Sequence, residues 1–185
     1  MIVGTPGYVS CMGAPSPYRS LPLERRLALV THVIASGREG RTQFIERLVS
    51  RGGGFRAVTL NTWPPGRLAA EIVRMKAESA HDELQLLQLL YVELEPAMQI
   101  TFLDAAGVAH EHGKIAEELP VPYAEAAAVR RAASAVVQQH GPDGARYLRT
   151  LERYSREGWP GIEGAVAALD DHSPDGIPRD VGGSG

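Results

Sequence analysis

Cysteine is nearly absent: Cys11 is the only one among 185 residues. A single thiol excludes an intramolecular disulfide and any metal site built from several cysteines. Lysine is scarce as well, with Lys76 and Lys114 set against 17 arginines. Guanidinium favours bidentate contacts to carboxylate or phosphate. GC-rich coding, which also enriches Ala, Gly and Pro, is the simpler source of the bias.

Long apolar runs are missing too. The longest stretch, residues 84–94, is interrupted by Gln85, Gln88 and Glu93, and a membrane span needs about 20 predominantly apolar residues. The mean hydropathy of -0.15 fits this reading. Residues 1–20 carry no positive charge before Arg19 and no sustained apolar run, so they lack a signal-peptide pattern. A cytoplasmic location follows by elimination. There is no G-x-S-x-G elbow, P-loop or dinucleotide fingerprint. Gly52-Gly53-Gly54 lacks the strand and helix that would make it a phosphate cradle.

What is present is a 44% hydrophobic fraction, arranged mainly with helical periodicity. The expectation is an all-α fold: a single-domain bundle of about five to seven helices around a long central helix, over residues 21–169. Dense Gly and Pro mark 1–20 and 170–185 as flexible tails.

A first helix is expected over 21–35, with Ser20 as cap and Leu23, Leu27, Val30 and Ile34 on one face. A second, over 41–50, buries Phe44, Ile45, Leu48 and Val49. Residues 55–60 read as an extended connector. Pro64-Pro65 opens the long helix, which Pro96 kinks or breaks by removing an N–H and crowding the Val92 carbonyl. A short continuation ends near Gly107. Further helices are expected over 123–139, from 142 or 143 onward, and weakly to about 169, with a break at His140-Gly141. The segments around Gly37 and Gly141 are loosely alike, but they align only with a gap. Trp63 and Trp159 each precede proline, where they suit packing at helix corners or exposed aromatic anchors.

On a continuous helix from Pro65, residues Glu71, Arg74, Glu78, His81, Gln85, Gln88, Glu95 and Gln99 line one polar face, which reads first as a solvent face. Glu83 and Glu93 fall instead in the leucine arc, where a carboxylate needs a cation or a proton. A salt bridge to an arginine of another helix is the favoured outcome. Glu78, His81 and Glu93 are the candidate catalytic groups. Glu78-x-x-His81 has the spacing of a carboxylate-bundle ligand pair, but such a centre needs a second copy of the motif and two further glutamates. His110-Glu111-His112 is the candidate metal cluster, lacking the usual helical ligand frame. No cofactor is expected. Arg25, Arg26, Arg38, Arg41, Arg47 and Arg51, with Arg56, are the candidate residues for binding nucleic acid.

Charge is segregated along the chain. Residues 19–76 hold 11 basic and 4 acidic groups, whereas 77–125 hold 1 and 10. Such blocks make either a two-faced surface or internal complementarity between helices. The favoured reading is a non-catalytic helical module that binds a protein partner or a second copy of itself. One alternative is a small enzyme or ligand-binding bundle using carboxylates and histidines. Another, less favoured, is nucleic-acid binding through the Arg-rich N-terminal helices.

Overall fold

The computed structural model describes residues 16–52, 54–116 and 119–171. Among them the chain is all-α, with eight α-helices and one two-residue β-hairpin. It divides into two compact units, residues 16–97 and 98–171.

The first unit opens with a turn over residues 17–20 that leads to α1 (Leu23–Ser36). The expected tail over 1–20 lies outside the described residues through 15. From Ser16 onward the chain packs, and Tyr18 is completely buried. Ser20 does not cap α1. Its hydroxyl donates to the Pro17 carbonyl at 2.7 Å, and Pro22 takes the cap position. Helix α1 buries Leu29, Val30 and Ile34, and α2 (Arg38–Ser50) buries Phe44, Ile45 and Leu48. Val49, expected inside, is exposed. Each leucine or isoleucine so buried contributes at most roughly 1.5–3 kcal/mol. The connector expected to be extended contains a short helix, α3 (Ala57–Asn61). Its C-terminal carbonyls are satisfied by Arg41, whose Nη2 donates to Leu60 O at 3.2 Å, Asn61 O at 2.9 Å and Trp63 O at 2.6 Å.

The long helix expected from Pro65 is three helices. Helix α4 (Pro65–Arg74) ends in a Schellman motif: Ala77 N–H bonds to Ile72 O at 3.0 Å and Lys76 N–H to Val73 O at 3.3 Å. Ala77 and Ile72 are both buried, which supplies the apolar contact that accompanies this motif. Lys76 holds the left-handed position at φ 49. A new helix, α5 (Ala80–Gln88), begins at once through a capping box between Ser79 and Asp82. It runs into a π-helical turn over Leu89–Leu94, closed by a 2.7 Å bond from Glu95 N–H to Leu90 O. The break expected at Pro96 is present, and α6 (Ala97–Ala106) follows it.

In the second unit α6 ends at Gly107, as the sequence indicates. The hairpin pairs His110 with Ile115 and Glu111 with Lys114. The longest helix is α7 (Ala126–Ser155), non-helical at Gly141, where a break is expected. A Cβ added to Gly144 would lie 2.6 Å from Val136 O. Residues eight apart in a straight helix are about 12 Å apart, so α7 folds sharply at Gly141. Helix α8 (Ile162–Asp171) packs on α7. Phe102 meets Tyr147 and Trp159 edge-on at 5.9 and 4.9 Å, and Tyr123 tilts against Trp159 at 5.1 Å. This geometry is the favoured one for aromatic pairs.

Candidate functional site

Three buried carboxylates gather at the start of α5: Glu78, Asp82 and Glu83. The Ser79–Asp82 box fixes Asp82, whose Oδ2 accepts from Ser79 N–H at 2.7 Å and from its hydroxyl at 2.8 Å. Arg47 of α2 is also ion-paired to Asp82. Burial lowers the Arg47 pKa.

The segment before α1 covers the other two carboxylates. Tyr18 Oη donates to Glu78 Oε1 at 2.9 Å. Arg19 Nε donates to Glu83 Oε1 at 2.6 Å, and the Ser16 hydroxyl donates to Glu83 Oε2. Burial, followed by the neighbouring Glu78 charge, pushes the Tyr18 phenol pKa well above its ordinary value. The bond to Glu83 raises the Arg19 pKa. Chemically this is a satisfied polar latch, with donors and acceptors matched across 60 to 67 residues of chain.

The candidate catalytic residues do not come together. Glu78 is buried beneath Tyr18, His81 is on the surface, and Glu93 is exposed. The π-helical turn accounts for Glu93: its extra residue per turn rotates the side chain off the leucine arc. The continuous polar face is lost at the α4–α5 break, and Gln99 is buried, donating to Gly113 O. Glu83 does bridge to an arginine, but the partner, Arg19, comes from the turn preceding α1 and not from another helix.

The arginines separate into two sets. Arg19, Arg25 and Arg47 pair with Glu83, Glu95 and Asp82, so the basic and acidic blocks complement each other inside the unit. Arg41 caps α3, as described. The Arg26 Nε is buried without a hydrogen-bond partner among the described residues. Arg38, Arg51, Arg56 and Arg67 are exposed. Arg67 lies over the Trp63 ring at 4.0 Å, and Phe55 packs edge-on against the same ring at 5.4 Å.

A cleft of about 280 Å³ opens between α1, α2 and α5, lined by Val33, Glu39, Gln43, Phe44, Asp82 and Leu86 among others. None of Glu78, His81 or Glu93 lines it.

In the second unit His110 is held on both ring nitrogens. Nδ1 accepts from Gly113 N–H at 3.1 Å, which leaves Nε2 to donate to Asp104 Oδ1 at 3.1 Å. Glu111 and His112 are exposed. Among the described residues no group of three His, Cys, Asp or Glu is placed to hold a metal ion. The Thr101 hydroxyl lies 3.0 Å from His140 Nε2 and 3.3 Å from Gln139 Oε1, tying α6 to the first half of α7.

Against this geometry the chain was compared with known proteins. No family, curated protein or solved structure matches it. The site is therefore read from its own chemistry.

Sequence reasoning overlooked Tyr18, which a Pro- and Gly-rich stretch disguises as tail. It also passed over Ser79-x-x-Asp82, a helix-start signature sitting inside what reads as helix interior.

Proposed function

We propose that the chain is a non-catalytic helical module that binds a protein partner through its basic surface. The observation that carries this reading is the residue of charge left after internal pairing. From Arg47 to Ala70 the sequence has four arginines and no acidic group. Among the described residues only Arg47 of the four is ion-paired to a carboxylate, that of Asp82, whereas Arg51, Arg56 and Arg67 are exposed. Of the acidic block in the same unit, Asp82, Glu83 and Glu95 are engaged with arginines and Glu78 with Tyr18, which leaves only Glu93 exposed among the described residues. Unneutralised guanidinium groups on helices steer and orient an acidic partner.

The test is affinity capture with the tagged chain from cell lysate at low and moderate salt, read by quantitative mass spectrometry. A specific protein is expected, depleted when Arg51→Glu and Arg56→Glu are combined. Equal recovery by that variant, or no specific protein at either salt, sinks the reading.

A second reading, a small-ligand site, is supported by the α1–α2–α5 cleft, whose volume is close to the lower end of ligand pockets, about 300 Å³. Exposed Glu39 and Gln43 on its rim suit a small organic cation, Asp82 being paired with Arg47. A screen of amines and guanidines by thermal shift tests it. No shift with any compound, or a shift unaffected by Glu39→Gln, would remove it.

A further inference from the structure

We propose that the surface around α3 docks an acidic segment of another protein that carries bulky apolar side chains. The inference rests on the interaction-module reading and names its surface and partner chemistry. Val58 on α3 is 79% exposed, and Val49 near the end of α2 is 39% exposed. Apolar side chains left in water beside a polar rim mark sites that gain from a partner. The rim here is mainly basic, with Glu46 the exposed acidic residue one turn from Val49. Arg51 and Arg56 are exposed ahead of α3, and Arg67 is exposed in the first turn of α4. Planar guanidinium grips a carboxylate through paired N–H bonds. The complementary ligand therefore interleaves Asp or Glu with Leu or Phe.

The corner is also stiff. Arg41 ties down the carbonyls at the end of α3, and the Phe55, Trp63 and Arg67 stack closes the turn into α4. A side chain presented on a fixed backbone loses less entropy on binding than one on a mobile loop. The same stack decides against single-stranded nucleic acid. Bases bind by stacking on open aromatic faces, whereas Arg67 covers a face of Trp63 at 4.0 Å. The exposed groups are valines, which suit a protein side chain and not a base.

The experiment is fluorescence anisotropy on the full chain with three labelled probes. The first is a peptide of about 14 residues alternating Glu or Asp with Leu or Phe. The second replaces every Leu and Phe by Ser, and the third is an oligouridylate of similar length. The first probe is expected to bind at least about tenfold tighter than the other two. Val58→Asp and Arg56→Glu should each weaken it about fivefold or more, with unchanged thermal melts, while Arg131→Glu in the other unit leaves it unchanged. Equal affinity for the serine peptide or the oligonucleotide, no binding by any probe, or indifference to Val58→Asp overturns the proposal. If a specific protein is still captured from lysate, only the surface assignment fails. If none is captured, the module reading itself has failed.

Discussion

Helices α4 and α6 end in the same hydrogen-bonded motif, one in each unit. In α6 the left-handed position is Gly107 at φ 74, with Val108 N–H reaching Leu103 O at 3.0 Å. In α4 it is Lys76 at φ 49, with Ala77 N–H reaching Ile72 O at the same 3.0 Å. A Cβ in this conformation costs about 1–2 kcal/mol, so α4 holds its ending against a local preference. What enforces it is context: Ala77 and Ile72 are buried, and the Ser79–Asp82 box starts the next helix immediately. The units also share a helical corner. The first turns at Gly37 between α1 and α2, and the second turns at Gly141 within α7. Three residues on, each has a glycine against a valine. At Gly40 an added Cβ would meet Val33 Cγ1 at 2.6 Å and the Val33 carbonyl oxygen only at 3.3 Å, whereas at Gly144 it would meet the Val136 carbonyl oxygen at 2.6 Å. The first corner is tightest against a side chain, the second against backbone.

The largest expected effect breaks that second parallel. Gly144→Ala should destabilise by about 3 kcal/mol, since a carbonyl must move. Gly40→Ala should cost less, about 1–2 kcal/mol, because the tightest contact is a side chain that can shift and the helix gains propensity. Urea denaturation of both variants measures the gap, and equal losses would show that the corners pack alike.

Next comes the latch, for which the second unit has no counterpart among the described residues. Tyr18→Phe strips buried Glu78 of its donor and should cost about 2 kcal/mol. The same phenol predicts an alkaline dependence. Its folded pKa lies above the ordinary value of 10.0. Its contribution is therefore complete below pH 10 and is lost as pH rises beyond it, by up to about 1.4 kcal/mol per pH unit. Absorbance titration should place Tyr18 among the tyrosines that ionise only as the protein unfolds, and Tyr18→Phe should reduce that step by one phenol.

The smallest effect tests the helix endings. Lys76→Gly should stabilise by about 1 kcal/mol, while Gly107→Ala should destabilise by a similar amount. Thermal melts of the two variants moving in the same direction would contradict the shared motif.

The endings also explain what could be read from the residues alone. Gly107 and Gly141 advertise backbone that other residues avoid, so α6 and the corner in α7 were legible. Lys76 does not, and the periodicity of apolar positions continues across it, which makes α4 and α5 look like one helix. A wheel drawn through that break puts Glu78, His81 and Gln85 on one stripe, although only Glu78 is buried. Pattern fails again at the π-helical turn, where the angle per residue changes and Glu93 leaves the face assigned to it. The burial of Glu83 and its arginine partner were anticipated from the leucines around it. The identity of that partner was not, because Arg19 arrives from a stretch whose prolines and glycines conceal a docked tyrosine.

The latch has a consequence for how the first unit is made. Ser16, Tyr18 and Arg19 find their partners 67, 60 and 64 residues later in the chain. At about 5–20 residues per second of synthesis, Tyr18 leaves the ribosome roughly 3–12 seconds before Glu78 does. During that interval its ring and the apolar face of α1 have no completed core to enter. The segment that leads into the unit is thus among the last to dock, and its docking closes a loop of long contact order over helices already formed.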